Sequence, residues 1–250
     1  MGDEQLWSEF LDFVGRAPAA RHPGLLFDGF RADLVERGVA ADVAAAQMAE
    51  VIAMSRQRND WAGPMFDRIY QTDQPEFRLE PNEFVERMTV DRAPGTALDV
   101  AMGQGRNAVH LARRGWQVTG FDLSAAGLAQ ANAAAGEHGV AIETVLTSAE
   151  QFVFGISSWD LIVMTYAVVP ITSPAFAATI ANALRPGGLV VIESFAVLDG
   201  PPRRPVDLDP ALLRMAYAEL HEVAFEHETA VADWTLVPEP VVRLAAQRPA

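Results

Sequence analysis

The sequence predicts an α/β protein built on a doubly wound, mostly parallel seven-stranded sheet, with helices on both faces and a helical N-terminal extension. Two observations lead to this fold class. From Thr96 onward, short apolar strands alternate with helices, a pattern typical of parallel sheets that are covered on both faces. Before Thr96 this alternation is absent, and residues 1–60 instead space their apolar side chains three and four residues apart, as helices do.

The extension at residues 1–60 is predicted to contain a first helix and, at 41–56, a second, alanine-rich one. Neither carries a chemical motif, so we interpret the extension as a lid or a dimerisation segment, and a homodimer is possible. Residues 61–93 form a connecting segment in which aromatic residues stand among charges and prolines such as Pro64 act as breakers.

Residues 94–250 form the predicted core. Its strands are expected at 96–101, 117–122, 141–146, 159–165 and 188–195, with two more near 219–229 and 240–247. Its helices are expected at 105–114, 124–138 and 174–184, with one more beginning at Pro210.

Charge and composition exclude several classes of function. The net charge of −14 opposes a nucleic-acid partner, because binding to phosphates depends on basic side chains. The chain has no cysteine, and its five histidines lack metal-ligand spacing, so no metal site is predicted. The acidic N-terminus is unlike a secretory signal, and no apolar run approaches the ~20 residues of a membrane span, so the expected location is cytoplasmic.

A glycine-rich loop follows the first predicted strand. Gly103 and Gly105 allow the backbone to turn sharply and to approach a ligand at the start of a helix. Asp122, which follows Gly103 by 19 residues, ends the second strand, where an acid can accept from both ribose hydroxyls. Dinucleotides and S-adenosylmethionine both fit this pattern. Asp99 favours the latter, because a carboxylate beneath the loop attracts an ammonium and opposes a pyrophosphate.

Residues 96–195 resemble the catalytic core of class I S-adenosylmethionine-dependent methyltransferases, which have a Rossmann-like fold. Four motifs in the family's order carry the resemblance: Leu98-Asp99-Val100-Ala101-Met102-Gly103-Gln104-Gly105, Gly120-Phe121-Asp122-Leu123-Ser124, Trp159-Asp160-Leu161-Ile162-Val163 and Leu184-Arg185-Pro186-Gly187-Gly188. Within that superfamily, Gly105-Arg106-Asn107-Ala108 and Pro81-Asn82-Glu83-Phe84 are similar to the tellurite-resistance and thiopurine-type small-molecule enzymes.

The resemblance implies a set of cofactor-binding residues. These are Asp99, Ala101, Met102, Gly103, Gly105, Asn107, Asp122, Leu123, Ser148, Ala149, Thr165, Tyr70 and Phe77. Ser148 stands where the family usually has an aspartate that accepts from the adenine amino group, which implies a weaker hydrogen bond. Two interpretations stay open for Tyr70, Phe77 and Trp61. They wall the methionine side, since aromatic faces attract a sulfonium as they attract other cations, or they form a hydrophobic seam that joins the extension to the core.

The predicted activity is transfer of a methyl group from S-adenosylmethionine to a small-molecule nucleophile by in-line displacement, with S-adenosylhomocysteine as product. Tyr166 and Glu193, after the fourth strand and near the end of the fifth, are the candidate catalytic residues. No acid–base pair in the sequence selects the acceptor atom. Two other classes remain open: an NAD(P)-binding oxidoreductase, and a protein that binds S-adenosylmethionine without transferring methyl, as a sensor or a cyclase.

Overall fold

The computed structural model describes residues 2–17, 23–55, 57–58, 60–71, 77–198, 200, 202 and 204–250. The helices that precede the sheet are α1 (Asp3–Arg16), α2 (Pro23–Glu36), α3 (Ala41–Ser55), α4 (Ala62–Tyr70) and α5 (Glu83–Thr89). The strands are β1 (Thr96–Val100), β2 (Gln117–Asp122), β3 (Glu143–Leu146), β4 (Trp159–Thr165), β5 (Leu184–Phe195), β6 (His221–Val231) and β7 (Pro238–Gln247). The helices between them are α6 (Arg106–Arg113), α7 (Ala125–Glu137), α8 (Pro174–Ala183) and α9 (Pro210–Ala216).

The strands form one seven-stranded sheet in the order β3-β2-β1-β4-β5-β7-β6. Strands β1 to β5 run parallel, while β7 is antiparallel to both β5 and β6. The predicted fold class is therefore confirmed, with an antiparallel β6–β7 hairpin completing one edge. The chain adds strands in one direction from β1 to β3 and in the other from β4 to β5. The switch between β1 and β4 is where parallel sheets of this kind bind ligands.

Both faces of the sheet are covered by helices. The apolar side chains of α8 and α9 pack on one face, and those of α5, α6 and α7 pack on the other. Strands β1, β4 and β5 lie inside the sheet and are apolar along most of their length, as strands buried on both faces must be. These buried strands fix the positions of the loops at their carboxyl ends.

Helices α1 to α4 form a separate, aromatic-rich core. Phe10 and Phe27 stack with ring centroids 5.4 Å apart, and Trp61 meets Phe27 edge-on at 5.3 Å. The expectation that Trp61 walls the ligand pocket is wrong, because its side chain is fully buried in this core and its Nε1 donates to Ser55 O at 3.1 Å. Helix α4 also packs against α7, so it joins the N-terminal helices to the sheet.

The connecting segment contains two helices that the sequence pattern did not indicate. Pro64, interpreted as a breaker, lies in the first turn of α4, where the missing N–H of proline removes no helical hydrogen bond. Asn82 directly precedes α5, and its side chain caps that helix. In the part of the chain that the structure describes, no helix has the length and apolarity needed to cross a bilayer.

Candidate active site

The loop after β1 turns back sharply over the end of that strand. Ala101 and Gly103 have positive φ values of 54° and 53°, and Gly105 N donates to Met102 O at 2.9 Å to close the turn. A Cβ on residue 103 would overlap the hydroxyl group of Tyr70. Glycine at this position therefore allows the loop and an aromatic side chain of α4 to touch.

Asp122, at the end of β2, organises this loop from the neighbouring strand. Its Oδ2 accepts from Gly103 N and its Oδ1 accepts from Ser124 N, each at 2.8 Å. Burial raises the pKa of Asp122 to about 6, although the backbone N–H donors act in the opposite direction. A carboxylate has further lone pairs beyond those two bonds, so Asp122 remains able to accept from a ligand hydroxyl.

Asp99, in β1, is a buried acid with an unpartnered oxygen. Its side chain is 2% exposed, and its Oδ2 has no hydrogen-bond partner among the described residues. Burial raises the pKa of Asp99 to about 7, while nearby Arg106 and the backbone N–H of Ala108 lower it. Because a buried carboxylate without a partner is costly, this site fits a ligand that brings a cationic donor.

Residues after β2 and β3 form the opposite end of the pocket. Leu123, Ser148 and Ala149 line it next to Phe121, and Phe121 stacks on Phe152 with centroids 4.4 Å apart. This end is largely apolar, with Ser148 as a buried hydroxyl. Such a surface fits a flat, apolar ring that carries a hydrogen-bonding edge.

Helix α4 covers the pocket. Asp67 Oδ1 accepts from Ser124 Oγ at 2.6 Å and from Ala126 N at 2.9 Å, so the helix is tied to the start of α7. Gln130 Nε2 donates to the carbonyl oxygen of Tyr70 at the end of the same helix. Burial and the nearby Asp122 carboxylate raise the pKa of Tyr70 well above its usual value, so its phenol stays protonated at neutral pH.

An aromatic wall closes the pocket beyond the β1 loop. It consists of Phe66, Phe77, Tyr166 and Trp234, with Val168 and Val169 beside them. Trp234 is central: it stacks on Tyr166 at 5.9 Å, and its ring centroid lies 5.6 Å from that of Phe77 and 6.1 Å from that of Phe66. We call these four aromatic residues the aromatic wall. It gives one end of the pocket an aromatic surface.

Tyr166 and Glu193, the predicted catalytic pair, are in direct contact but have different environments. Tyr166 lines the pocket, and its hydroxyl donates to Glu193 Oε1 at 2.9 Å. Glu193 is 2% exposed, lies behind the pocket lining, and accepts from Arg243 Nε at 2.6 Å. Burial and the Glu193 carboxylate raise the pKa of Tyr166 well above its usual value. The pair thus presents a protonated phenol to the pocket side and an ion pair behind it.

The polar side chains at this end of the pocket are also paired. Asp233, which precedes Trp234, forms an ion pair with Arg106 at 2.7 Å. Asn107 Nδ2 donates to Thr165 Oγ1 at 3.0 Å. Among the described residues that line the pocket, Arg106 is the one basic residue, and the acids include Asp99 and Asp122. The pocket therefore favours a cationic ligand over an anionic one.

The lining residues surround a pocket with about 890 Å³ of empty space, part of which is open to solvent. Most of the predicted binding residues lie on its surface: Tyr70, Phe77, Asp99, Ala101, Met102, Gly103, Asn107, Asp122, Leu123, Ser148, Ala149 and Thr165. Gly105 is the exception. It lies behind the loop, where an added Cβ would approach the Cβ of Ala131 to 2.6 Å.

Several lining residues were not predicted from the sequence: Ala62, Phe66, Gln104, Arg106, Phe121, Thr147, Glu150, Val168, Val169, Asp233 and Trp234. Gln104, Arg106 and Phe121 lie inside motifs that were identified, so their position in the pocket lining could have been predicted. Asp233 and Trp234 lie in the β6–β7 turn, far along the chain from every motif. No local signal marks them, since only the antiparallel pairing of β7 with β5 brings that turn to the pocket.

Comparison with known proteins identifies the central part of the chain. Residues 97–188, from β1 into the start of β5, match a family model described as a methyltransferase domain. Among curated proteins, none matches the chain.

Solved structures resemble the chain over most of its length. TehB from Haemophilus influenzae is 18% identical, with a TM-score of 0.57, and the match covers 74% of this chain and 66% of that one. The N-methyltransferase NodS from Bradyrhizobium japonicum WM9, in complex with S-adenosylhomocysteine, is 16% identical with a TM-score of 0.56, covering 75% and 98%. The cyclase SpnF is 18% identical with a TM-score of 0.56, covering 77% and 84%. At these identities the likeness establishes the fold.

Proposed function

We propose that the chain is an S-adenosylmethionine-dependent methyltransferase that transfers the methyl group to a small-molecule nucleophile, and the match of residues 97–188 to a methyltransferase-domain model supports this. The observation that carries the proposal is Asp99, which lines the pocket beneath the β1 loop and has a buried carboxylate oxygen without a hydrogen-bond partner among the described residues. S-adenosylmethionine brings an ammonium group, which that carboxylate would accept. A pyrophosphate at the same place would be repelled, and this argues against the NAD(P) alternative.

Three groups of residues would bind the three parts of the cofactor. Asp99 and the backbone around Gly103 would hold the methionine end, and Asp122 would accept from the ribose hydroxyls. Leu123, Ser148 and Ala149 would hold the adenine, in the apolar end of the pocket. Tyr70 and Phe77 present aromatic surface, which stabilises a sulfonium as it does other cations.

Bound S-adenosylmethionine supplies a methyl group on an activated leaving group, so the protein has little covalent chemistry to perform. The aromatic wall and α4 exclude water and orient the acceptor, and orientation accounts for much of the rate in such transfers. We propose that Tyr166 contacts the acceptor with its ring and that Glu193 holds Tyr166 in place. The hydrogen bond to Glu193 and the raised pKa keep the phenol of Tyr166 protonated, so Tyr166 is a poor candidate for a general base.

A small-molecule acceptor is supported by the shape and charge of the site. Helix α4 covers one side of the pocket, and the pocket lining is acidic. An acidic lining opposes nucleic acid, as does the net charge of −14. A short, uncharged or cationic nucleophile would meet no repulsion there.

The test is turnover with a panel of small acceptors that carry thiol, amine, phenol or carboxylate groups, with S-adenosylhomocysteine formation as the readout. Release of S-adenosylhomocysteine that depends on one acceptor class supports the proposal. Tight cofactor binding without release on any acceptor would contradict methyl transfer and favour a sensor or a cyclase. The Asp99→Asn variant serves as the negative control, since it should lose cofactor binding while keeping the fold.

A further inference from the structure

A buried asparagine joins two acidic side chains behind the aromatic wall. Asn82 is 1% exposed and directly precedes α5, and its Oδ1 accepts from Phe84 N and Val85 N at 3.1 Å each. These two bonds account for its role as a helix cap. The NH₂ group of the same side chain makes two further bonds.

Asn82 Nδ2 donates to Glu193 Oε1 and to Asp233 Oδ2, each at 2.7 Å. The two carboxylates come from distant parts of the chain, one from β5 and the other from the β6–β7 turn. Each also has an arginine: Glu193 pairs with Arg243 at 2.6 Å, and Asp233 pairs with Arg106 at 2.7 Å. One neutral NH₂ group therefore links two ion pairs that would otherwise repel through their acids.

Both acidic residues contact the aromatic wall, Glu193 through its carboxylate and Asp233 through its backbone. Glu193 accepts from the Tyr166 hydroxyl at 2.9 Å, and the backbone N–H of Asp233 lies 3.4 Å from the same hydroxyl oxygen. Trp234 follows Asp233 directly and stacks on Tyr166 with an interplanar angle of 24°. Glu193 and Asp233 therefore connect Asn82 to the stacked pair of Tyr166 and Trp234.

We infer that Asn82 is a positioning residue for the acceptor end of the pocket, and that it acts through its amide donors rather than through its capping oxygen. The inference rests on the proposed function, because that function places a methyl acceptor at this end of the pocket. Asn82 itself does not line the cavity, so it acts through Glu193 and Asp233. An amide is required chemically: a carboxylate at this place would face two others, and a serine hydroxyl is too short to reach both.

Three substitutions separate the two roles of the side chain. Asn82→Asp keeps an excellent helix cap but replaces the donor with an acceptor. Asn82→Ser also keeps the cap and removes the bridge. Asn82→Ala removes both. If capping alone mattered, the aspartate and serine variants would match the wild type, and only the alanine variant would differ.

The readout is the ¹⁹F spectrum of the full chain labelled with 5-fluorotryptophan, in which the Trp234 resonance is assigned from Trp234→Phe. We expect Asn82→Asp at pH 8 to shift or broaden the Trp234 resonance by more than its linewidth. The resonances of the other four tryptophans should stay in place. The dissociation constant of S-adenosylhomocysteine should stay within about threefold of the wild type, because the Asn82 side chain bonds to none of the residues proposed to hold the cofactor.

Lowering the pH to 5.5 should restore the Trp234 resonance of Asn82→Asp toward that of the wild type. The introduced carboxyl would lie beside Glu193 and Asp233. The charged and titratable groups around those two acids are Arg243, Arg106, Arg78 and the Tyr166 hydroxyl. Burial and the two carboxylates raise the pKa of the introduced acid, and once protonated it regains one donor. Asn82→Ser should shift the same resonance at both pH values, since it has no group to titrate. A loss of packing alone would show no such recovery.

Two results would overturn the inference: an unshifted Trp234 resonance in both Asn82→Asp and Asn82→Ser, or a shift in Asn82→Asp that does not recover at low pH. If Asn82→Asp fails to fold, the serine variant decides the question alone.

The spectrum needs neither cofactor nor acceptor, so its outcome is independent of the proposed function. Failure of that function would be seen separately, as absent S-adenosylhomocysteine binding by the wild type. With an acceptor in hand, Asn82→Ser should raise the KM for the acceptor about tenfold and leave that for S-adenosylmethionine unchanged.

Discussion

The Tyr166 hydroxyl donates to Glu193 Oε1 at 2.9 Å, and Tyr166 N donates to the backbone oxygen of the same residue at 2.8 Å. Tyr166 is therefore fixed twice to the end of β5, in spite of its positive φ of 52°. Because Glu193 is held as an ion pair with Arg243, its carboxylate is a strong acceptor for the phenol. The arrangement keeps the proton on Tyr166.

Tyr166→Phe should retain methyl transfer within about tenfold of the wild type, because the ring stays and only one hydrogen bond is lost. A general base would instead contribute about 10²–10⁴-fold. The rate should also keep its wild-type pH dependence between pH 7 and 9. A loss greater than 100-fold, together with a changed pH profile, would show that the hydroxyl takes part in proton transfer. Tyr217→Phe, which removes a buried hydroxyl outside the pocket lining, is the matched control.

Asp99→Asn should stabilise the cofactor-free protein at pH 8 and abolish tight binding of S-adenosylmethionine. Burial raises the pKa of Asp99 from 3.8 to about 7, so the folded state binds this proton more tightly than the unfolded chain. The free energy of unfolding of the wild type should therefore fall by about 2–4 kcal/mol as the pH rises from about 4 to 7. That of the variant should not show this decrease. Thermal unfolding at pH 5 and pH 8 tests it, and equal melting temperatures of the two proteins at pH 8 would contradict it.

The affinity of the wild type for S-adenosylmethionine should fall as the pH decreases below about 7. In the free protein Asp99 becomes protonated in this range, whereas an ammonium partner requires the ionised form. Calorimetry near pH 6.5 in buffers of different ionisation enthalpy should therefore detect proton release on binding. Binding without proton exchange at this pH would mean that the carboxylate does not receive the ammonium.

Gly103→Ala should prevent cofactor binding and cost about 1–3 kcal/mol of folding stability. Residue 103 has a φ of 53°, and an added Cβ would overlap the Tyr70 hydroxyl. Gly136→Ala is the control, since Gly136 lies in α7 with nothing within 4 Å of an added Cβ. That change should be neutral or stabilise by about 0.5–1 kcal/mol. Wild-type affinity of Gly103→Ala for S-adenosylhomocysteine would contradict the proposed role of the loop.

Asp67→Ala should speed the dissociation of S-adenosylhomocysteine by about tenfold, because it releases α4 from the start of α7. The lost bonds, to Ser124 Oγ and Ala126 N, are part-buried, so the stability cost should be about 1–3 kcal/mol. Stopped-flow displacement measures the rate. Asp28→Ala, on an exposed surface of α2 with a 3.6 Å ion pair, should leave it unchanged. An unaltered rate in Asp67→Ala would show that α4 does not cover the bound cofactor.

The cofactor end of the site was predictable from the sequence because its residues lie in contiguous motifs. Gly103 follows an apolar strand, and Asp122 ends the next one, so the meeting of parallel strand ends at one edge places them together. The Gly103 N to Asp122 Oδ2 bond is the result. The predicted strands from Thr96 onward agree with the structure to within a few residues, because buried parallel strands carry continuous apolar runs.

The acceptor end depends on register, which no local pattern encodes. Glu193 lies opposite Arg243 in the β5–β7 pairing and opposite Thr165 in the β4–β5 pairing. Those two registers decide that Glu193 forms an ion pair behind Tyr166 instead of facing the pocket. They also carry the β6–β7 turn, with Trp234, to its place on Tyr166. Helix α4 was missed for a different reason, since Pro64 suggests a break unless its place in the first turn is known.

The central claim is that Asp99 and Asp122 form a site for S-adenosylmethionine, and calorimetric titration tests it most directly. Wild-type protein at pH 8 is titrated with S-adenosylmethionine, S-adenosylhomocysteine and NADH, and the Asp99→Asn variant is titrated in parallel. We predict micromolar binding of the first two ligands to the wild type, a loss of at least tenfold in the variant, and no heat with NADH. Binding of NADH alone, or equal affinities of the two proteins for S-adenosylmethionine, would contradict the account.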